Sequence, residues 1–293
     1  MNRRQALRLL GALPVVAAGC TPSRSENVDP TKSKSAVSTS RMPVIFAAHG
    51  APILLDDAPW MAELAAWSAA MPKPKSILMV SAHWEKRPVS LGATRPVPLV
   101  YDFYGFPERY YQTKYPAPGA PALADRVREL LKQKGVAYAD APDRGLDHGA
   151  YVPLVAMYPS ADVPVLQMSL PMDPKSLFEL GSALAPLRDE GVLVFGSGFL
   201  THNMQYAFRK GIPPWAHEFD AWATEALTKL DVDALIDFKT RAPAAEIALP
   251  TWEHFAPVIV AAGAAAAHAT PVTFPITGFW MDGAFTRRSV QLG

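Results

Sequence analysis

Seven histidines and a single cysteine set the limits on the chemistry of this chain. One cysteine excludes an internal disulfide and a cysteine-based zinc site, so a metal would have to be held by His, Asp or Glu. Four histidines stand at informative places. His49 follows the apolar run Pro43–Ala48 and is itself followed by Gly50. His83 closes the run from Ser76 to Val80, in Ser81-Ala82-His83-Trp84. His202 lies beyond the run at 192–196, in Gly196-Ser197-Gly198-Phe199-Leu200-Thr201-His202-Asn203. His148 stands in Asp147-His148-Gly149, just before a predicted helix that starts near Tyr151. A fifth, His254, falls in Pro250-Thr251-Trp252-Glu253-His254, in the first turn of a predicted alanine-rich helix. Neutral imidazole is a borderline ligand that suits iron and zinc. Three such ligands on one side of an ion leave the other side open, and a further histidine can act as general base because its pKa lies near neutrality. For any one of these residues alone, the plainer reading is a hydrogen-bonded structural histidine. Their repeated placement at strand ends favours a metal site. His217 and His268 fall in predicted helices without special neighbours and read as structural or exposed.

The elements that must position these side chains follow from the apolar pattern. Pro43–Ala48, Ser76–Val80, Val163–Leu170 and Val192–Phe195 are short unbroken apolar runs, as expected of strands buried on both faces of a mostly parallel sheet. Helices are predicted over 56–71, 120–134 and 215–230. In the last, Phe219, Trp222, Ala223, Ala226, Leu227 and Leu230 share one helical face. Thr251 is placed to cap a buried helix through 252–267, and 271–275 and 287–292 read as final strands. The expectation is one α/β domain over 42–293, with a central, mostly parallel sheet and helices on both faces. In such a sheet, ligands bind outside the carboxyl ends of the strands, where His49, His83 and His202 would lie. The Pro-rich stretch 96–121 reads as a long irregular insertion of the kind that forms lids or binding loops.

Composition narrows the partners. Hydrophobic residues make up 49% and charged residues 19%, enough for a large core. A formal net charge of +1 gives no reason to expect nucleic acid. Residues 1–19 carry Arg3, Arg4 and Arg8, no acid, and an apolar run from Leu9 to Ala18 that is too short to span a bilayer. They read as a bacterial export signal of twin-arginine type. Ala17-Ala18-Gly19-Cys20 resembles a lipoprotein cleavage site, so the expected location is the periplasm or a membrane, reached only through a lipid anchor on Cys20. Residues 20–41 are rich in Ser, Thr, Lys and Asn and read as a flexible tether.

The motifs, taken in order, resemble the class III extradiol ring-cleaving dioxygenase superfamily, in its 4,5-DOPA dioxygenase branch. The segments that carry the resemblance begin with Met42-Pro43 through Ala48-His49-Gly50-Ala51-Pro52, Val80-Ser81-Ala82-His83-Trp84, Asp102-Phe103-Tyr104-Gly105-Phe106-Pro107 and Tyr115-Pro116-Ala117-Pro118-Gly119. They continue with Leu146-Asp147-His148-Gly149, Val152-Pro153-Leu154, Gly196-Ser197-Gly198, His202-Asn203 and Glu253-His254. The resemblance implies one ion per chain, Fe(II) or alternatively Zn(II), held by His49, His83 and His254. It implies His202 as catalytic base or possible fourth ligand, and His148 as a second histidine near substrate and oxygen. The wider superfamily uses two histidines and a glutamate; here His254 takes the third position with Glu253 beside it, which leaves the metal open between iron and zinc.

The reaction implied is insertion of both atoms of O2 into a small aromatic diol, a DOPA-like catechol bound through both oxygens. His202 would take a phenolic proton, and His148 would steady oxygen or give a proton. Trp84, Tyr104, Phe106 and Tyr110 are candidates to line the pocket against the ring, with ordinary core packing as the alternative. A zinc-dependent hydrolase built on the same histidines, and a non-catalytic metal-binding protein, remain competing readings.

Overall fold

The computed structural model describes residues 41–268 and 271–293. The expected leader, Cys20 and all of the tether but Arg41 lie outside the described residues. Arg41 itself pairs with Asp189 at 2.7 Å. Among the described residues no helix is long and apolar enough to cross a membrane.

Ten strands are present among the described residues. β1 (Val44–Ala48), β2 (Ser76–Glu85), β3 (Val89–Leu91), β4 (Tyr138–Asp140), β5 (Val165–Leu170), β6 (Val192–Gly198), β7 (Val272–Ile276) and β10 (Ser289–Leu292) form one sheet in the order β4-β3-β5-β2-β6-β1-β10-β7. β8 (Phe279–Trp280) and β9 (Phe285–Thr286) make a separate small hairpin. The centre, β5-β2-β6-β1, is parallel throughout. The pairings β3 to β5, β1 to β10 and β10 to β7 are antiparallel, so the expected sheet is parallel at its heart and mixed toward its edges.

Alternation along the central strands assigns the two faces. Val44 and Phe46, Leu78 and Val80, and Val192 and Val194 join one core with the helices α3 (Pro121–Gln133), α5 (Pro174–Leu184), α6 (Pro214–Lys229) and α10 (Ala256–Ala265). Ile45, Ile77, Met79, Leu193 and Phe195 join the other with α1 (Ala58–Ala69) and α4 (His148–Met157). Both faces are therefore apolar, which is why the strands read as unbroken hydrophobic runs. The remaining helices are short: α2 (Glu108–Tyr111), α7 (Val232–Ile236), α8 (Phe238–Arg241) and α9 (Ala245–Ala248). Within the Pro-rich stretch 96–121, α2 forms a single turn and α3 begins at the last residue, Pro121.

Two local expectations shift. The alanine-rich helix starts at Ala256 rather than near Thr251, with Phe255 as N-cap and a proline in its first turn, so His254 lies in the turn before the helix. Proline suits that position because its missing N–H has no partner there in any case. His148 is the first residue of α4 rather than preceding it, and Asp147 caps that helix by accepting from Ala150 N at 3.1 Å.

Candidate metal centre

Register brings the first elements of the site together. Ala48 of β1 pairs with Gly198 of β6, and Ser81 of β2 pairs with Ser197. The carboxyl ends of three neighbouring parallel strands thus lie side by side. His49 follows β1 directly, with its backbone N–H donating to Gly198 O at 3.3 Å. His83 gets there by a distortion. Val80 pairs with Met168 and Glu85 with Leu170, so residues 81–84 bulge out opposite a single residue of β5. Such bulges re-aim side chains next to active sites. His202 is held beyond β6 by its N–H to Ala248 O at 2.9 Å, and His254 by its carbonyl accepting from Phe199 N at 2.9 Å.

Five imidazoles converge as a result. His49 lies with its ring centroid 5.0 Å from His83, 5.3 Å from His254 and 5.5 Å from His148. His83 and His148 are 4.0 Å apart, and His202 stacks on His254 at 3.6 Å with planes 6° apart. His49, His83 and His148 form a three-histidine group whose nitrogens lie within 4.8 Å of one another; His202, Glu253 and His254 form a second. His217 and His268 stand outside this cluster: His217 is exposed, edge-on to Phe279, at 4.9 Å.

Polar contacts on Nδ1 fix which nitrogen is free in four of these rings, those of His49, His83, His148 and His254. Ser197 donates its hydroxyl hydrogen to Gly149 O, so its oxygen accepts from His49 Nδ1 at 3.0 Å. Asp102 accepts from His148 Nδ1 at 2.8 Å and from His148 N at 3.1 Å, while its other oxygen lies 3.3 Å from His83 Nδ1. Glu253 accepts from His254 Nδ1 at 2.9 Å. A carboxylate can only accept, so these contacts place the proton on Nδ1 and leave an Nε2 lone pair on each ring. The Nε2 atoms of His49 and His83 then face each other at 3.2 Å. Two lone pairs at that distance repel unless a cation lies between them, so the donor set fits a metal ion braced from behind by carboxylates.

Electrostatics agree. Burial, then the neighbouring histidines, holds His49 and His254 well below the usual imidazole pKa. Burial and His148 bring His83 down to about 3 against the pull of Asp102, and burial brings His202 down to about 4. These rings are neutral at physiological pH, as ligands must be. Burial pushes Asp102 up, but its hydrogen bond to His148 and the two neighbouring imidazoles outweigh that and hold it at about 2, ionised. Behind it, burial raises the pKa of Asp147, whose carboxylate accepts from Gln167 and lies 3.3 Å from Arg144.

Close approach demands glycine twice. A Cβ on Gly149 would collide with Ser81 Oγ and come within 2.9 Å of His83. One on Gly198 would strike the His254 carbonyl. The Gly-Ser-Gly and His-Gly pairs are therefore packing requirements of the cluster.

Over the histidines lies a cavity of about 200 Å3. Its walls are aromatic: Phe103, Phe106, Phe199, Trp280 and Phe285. Met204 and Met281 stand at its edge. Of the four aromatic side chains expected to line the pocket, Phe106 alone does so. Trp84 is a correction: next to His83 on a strand it points the opposite way, 6% exposed, under the Arg144 guanidinium at 5.2 Å. Tyr104 is a second, 90% exposed in a loop. Tyr110 is a third, buried with its hydroxyl bonded to Asp56. No local signal marks Asp102 as the shared brace, nor Trp280 and Phe285, which come from the small hairpin.

Known proteins resemble this chain along most of its length. Residues 38–281 match the family described as the catalytic LigB subunit of aromatic ring-opening dioxygenase. The 4,5-DOPA dioxygenase extradiol of Beta vulgaris is 45% identical over 229 residues, covering 75% of this chain and 85% of that protein. The protein of the same description from Escherichia coli K12 is 36% identical, covering 88% of this chain and 97% of its own. The crystal structure of an uncharacterized protein from Escherichia coli K12 superposes with a TM-score of 0.73 at 33% identity, covering 86% of this chain and all of that one.

Proposed function

The chain belongs to the LigB family of aromatic ring-opening dioxygenases and is a ring-cleaving extradiol dioxygenase, and we propose that it acts on a catechol at one ferrous ion held by His49, His83 and His254. The observation that carries this reading is the set of inward-facing Nε2 lone pairs, each made available by an acceptor on Nδ1. The zinc hydrolase reading has no comparable support once the family is known.

His254 is preferred over His148 as third ligand because Glu253 braces it independently of the other rings, whereas His148 shares Asp102 with His83. A bound ferrous ion would supply the template on which diol and oxygen meet and a path for electron density from the catechol to oxygen. The chain's own residues do the rest. His202, kept neutral by burial, accepts a phenolic proton. His148, fixed by Asp102, presents Nε2 toward the cavity and relays a proton there. Phe106, Phe199 and Trp280 flank the space for the ring and exclude water from it.

The test is oxygen uptake by iron-loaded protein on catechols, with appearance of a coloured ring-opened product. His202→Ala should lose turnover while keeping iron. His254→Ala should lose iron, and His148→Ala should keep it. Tightly held zinc with no oxygen uptake on any catechol would sink the iron assignment.

Export with acylation at Cys20 is a separate proposal, supported by Arg3, Arg4 and the Ala17-Ala18-Gly19-Cys20 run. Labelled palmitate incorporated by the parent chain and not by Cys20→Ser in a bacterial host is the expected result.

A further inference from the structure

We propose that Asp220 and Arg288, which lie outside the cavity, are positioning residues for His202; this rests on the reading of His202 as the base. His49, His83, His148 and His254 each have a side-chain oxygen against Nδ1. Among the described residues no side chain hydrogen-bonds the His202 ring. Its peptide N–H is fixed on Ala248 O at 2.9 Å, but its ring is placed by other rings. It stacks on His254 at 3.6 Å, and Phe285 closes against it at 5.0 Å with the planes at 60°.

A base placed by packing is only as well placed as what packs on it. His254 is anchored through Glu253. Phe285 belongs to β9, a strand of two residues. Along one edge Phe285 is the antiparallel bridge partner of His202, and Asn203 N donates to Ala284 O at 3.1 Å. Along the other edge Phe285 pairs with Trp280 of β8. The Phe285 side chain has no polar atom, so the strand is pinned one residue on.

Successive side chains of a strand point opposite ways. Phe285 lines the cavity, while Thr286 is fully buried against α6. There Thr286 Oγ1 donates to Asp220 Oδ1 at 3.0 Å, with the Gly278 carbonyl at 3.3 Å, and accepts from Arg288 N at 3.2 Å. Arg288 grips the same carboxylate through two bonds of 2.6 Å. A two-pronged contact of this kind fixes direction as well as charge. Neither charged residue lines the cavity. A buried ion pair gains little stability over apolar residues of the same size, so its value here is the single direction it imposes on β9. The line of contact runs from the 16-residue α6 through Asp220, Arg288 and Thr286 to Phe285, and ends on the ring of the base.

The experiment uses variants that keep most of the shape. Asp220→Asn loses the charge, and Arg288→Lys keeps the charge but loses the fork. In full-length, iron-loaded protein each should lower kcat on a catechol by about 10- to 100-fold, with KM and iron content near those of the parent. A second readout needs no turnover. Protein loaded with Zn(II) and carrying isotope-labelled histidine gives ring signals by NMR, and His202→Ala identifies those of residue 202. These should move in both variants while those of His49 stay. A purely structural ion pair would lower the melting temperature and leave kcat and the His202 signals alone, which overturns the proposal. So does a loss of kcat that only follows loss of iron. Thr286→Val keeps the ion pair and cuts its bond to β9, so a smaller change of the same kind is expected. No change in Thr286→Val overturns the proposal even where the other two variants fail to fold. Moved His202 signals in a protein whose parent turns over no catechol strike the reading of His202 as base and leave the positioning standing.

Discussion

The floor and the roof of the cavity are built on opposite plans. The floor is five histidines, four of them tied at Nδ1 by Ser197, Asp102 or Glu253, on backbone anchored to the ends of parallel strands. The roof is aromatic and thioether side chains from the Pro-rich stretch, the segment after His202 and the small β8-β9 hairpin. Polar bonds hold the floor in one geometry; the roof has only packing, and its outer residues are exposed. The difference separates two tasks. Geometry that must not vary is placed on the sheet, and shape that sets which ring enters is placed on loops.

Four substitutions or conditions would break or sharpen that contrast. The largest effect is expected in the floor: His49→Ala removes a ligand from the centre of the cluster, and the purified protein should retain no iron by elemental analysis. Next is Asp102→Asn. The amide can accept from only one ring through its oxygen and loses the charge that orients both, so iron affinity or turnover should fall by about 10–100-fold. A charge-independent packing role would leave both values near those of the parent.

Third is the response of the metal-free chain to acid. His202 and His83 have folded-state pKa values of about 4 and 3 against an ordinary 6.5. Below pH 6.5 the unfolded chain takes up protons that the folded chain refuses, so stability is lost as pH falls from about 6.5 toward 4. The melting temperature of apoprotein should drop across that window. His202→Ala should flatten the drop, and a roof substitution should leave it unchanged. The smallest effect belongs to the roof itself. Phe106→Leu removes part of one wall and should alter kcat/KM among catechols by less than about tenfold, with iron content intact.

Much of the floor was legible in the sequence, and little of the roof. His49 and His83 could be placed because β1 and β2 are buried on both faces and end abruptly in polar residues. His148 was legible only within Asp147-His148-Gly149 ahead of a helix; the Asp147 cap that makes it the first residue of α4 is seen in the structure. The bulge in β2 was not legible, since Ser81-Ala82-His83-Trp84 carries no proline or glycine to mark it. That bulge, together with strand alternation, is why Trp84 was misassigned to the pocket. Asp102 carries no local mark of its role in Asp102-Phe103-Tyr104-Gly105, because that role depends on meeting residues 83 and 148 in space. The strands β7 and β10 were legible over 271–275 and 287–292, though not their antiparallel pairing, whereas β3 and β4, three residues each, escaped the hydrophobic pattern.

The position of β1 has a consequence for how the chain is made. Among the described residues it is the first strand in chain order, yet its two neighbours in the sheet are β6, formed by Val192–Gly198, and β10, formed by Ser289–Leu292. An entirely apolar strand must therefore wait until β6 has been made before either edge is covered. During that interval it is a hazard for edge-to-edge pairing with other nascent chains. The four-residue β10 is thus a closing clasp, and a chain cut short before Ser289 would leave β1 open on one side.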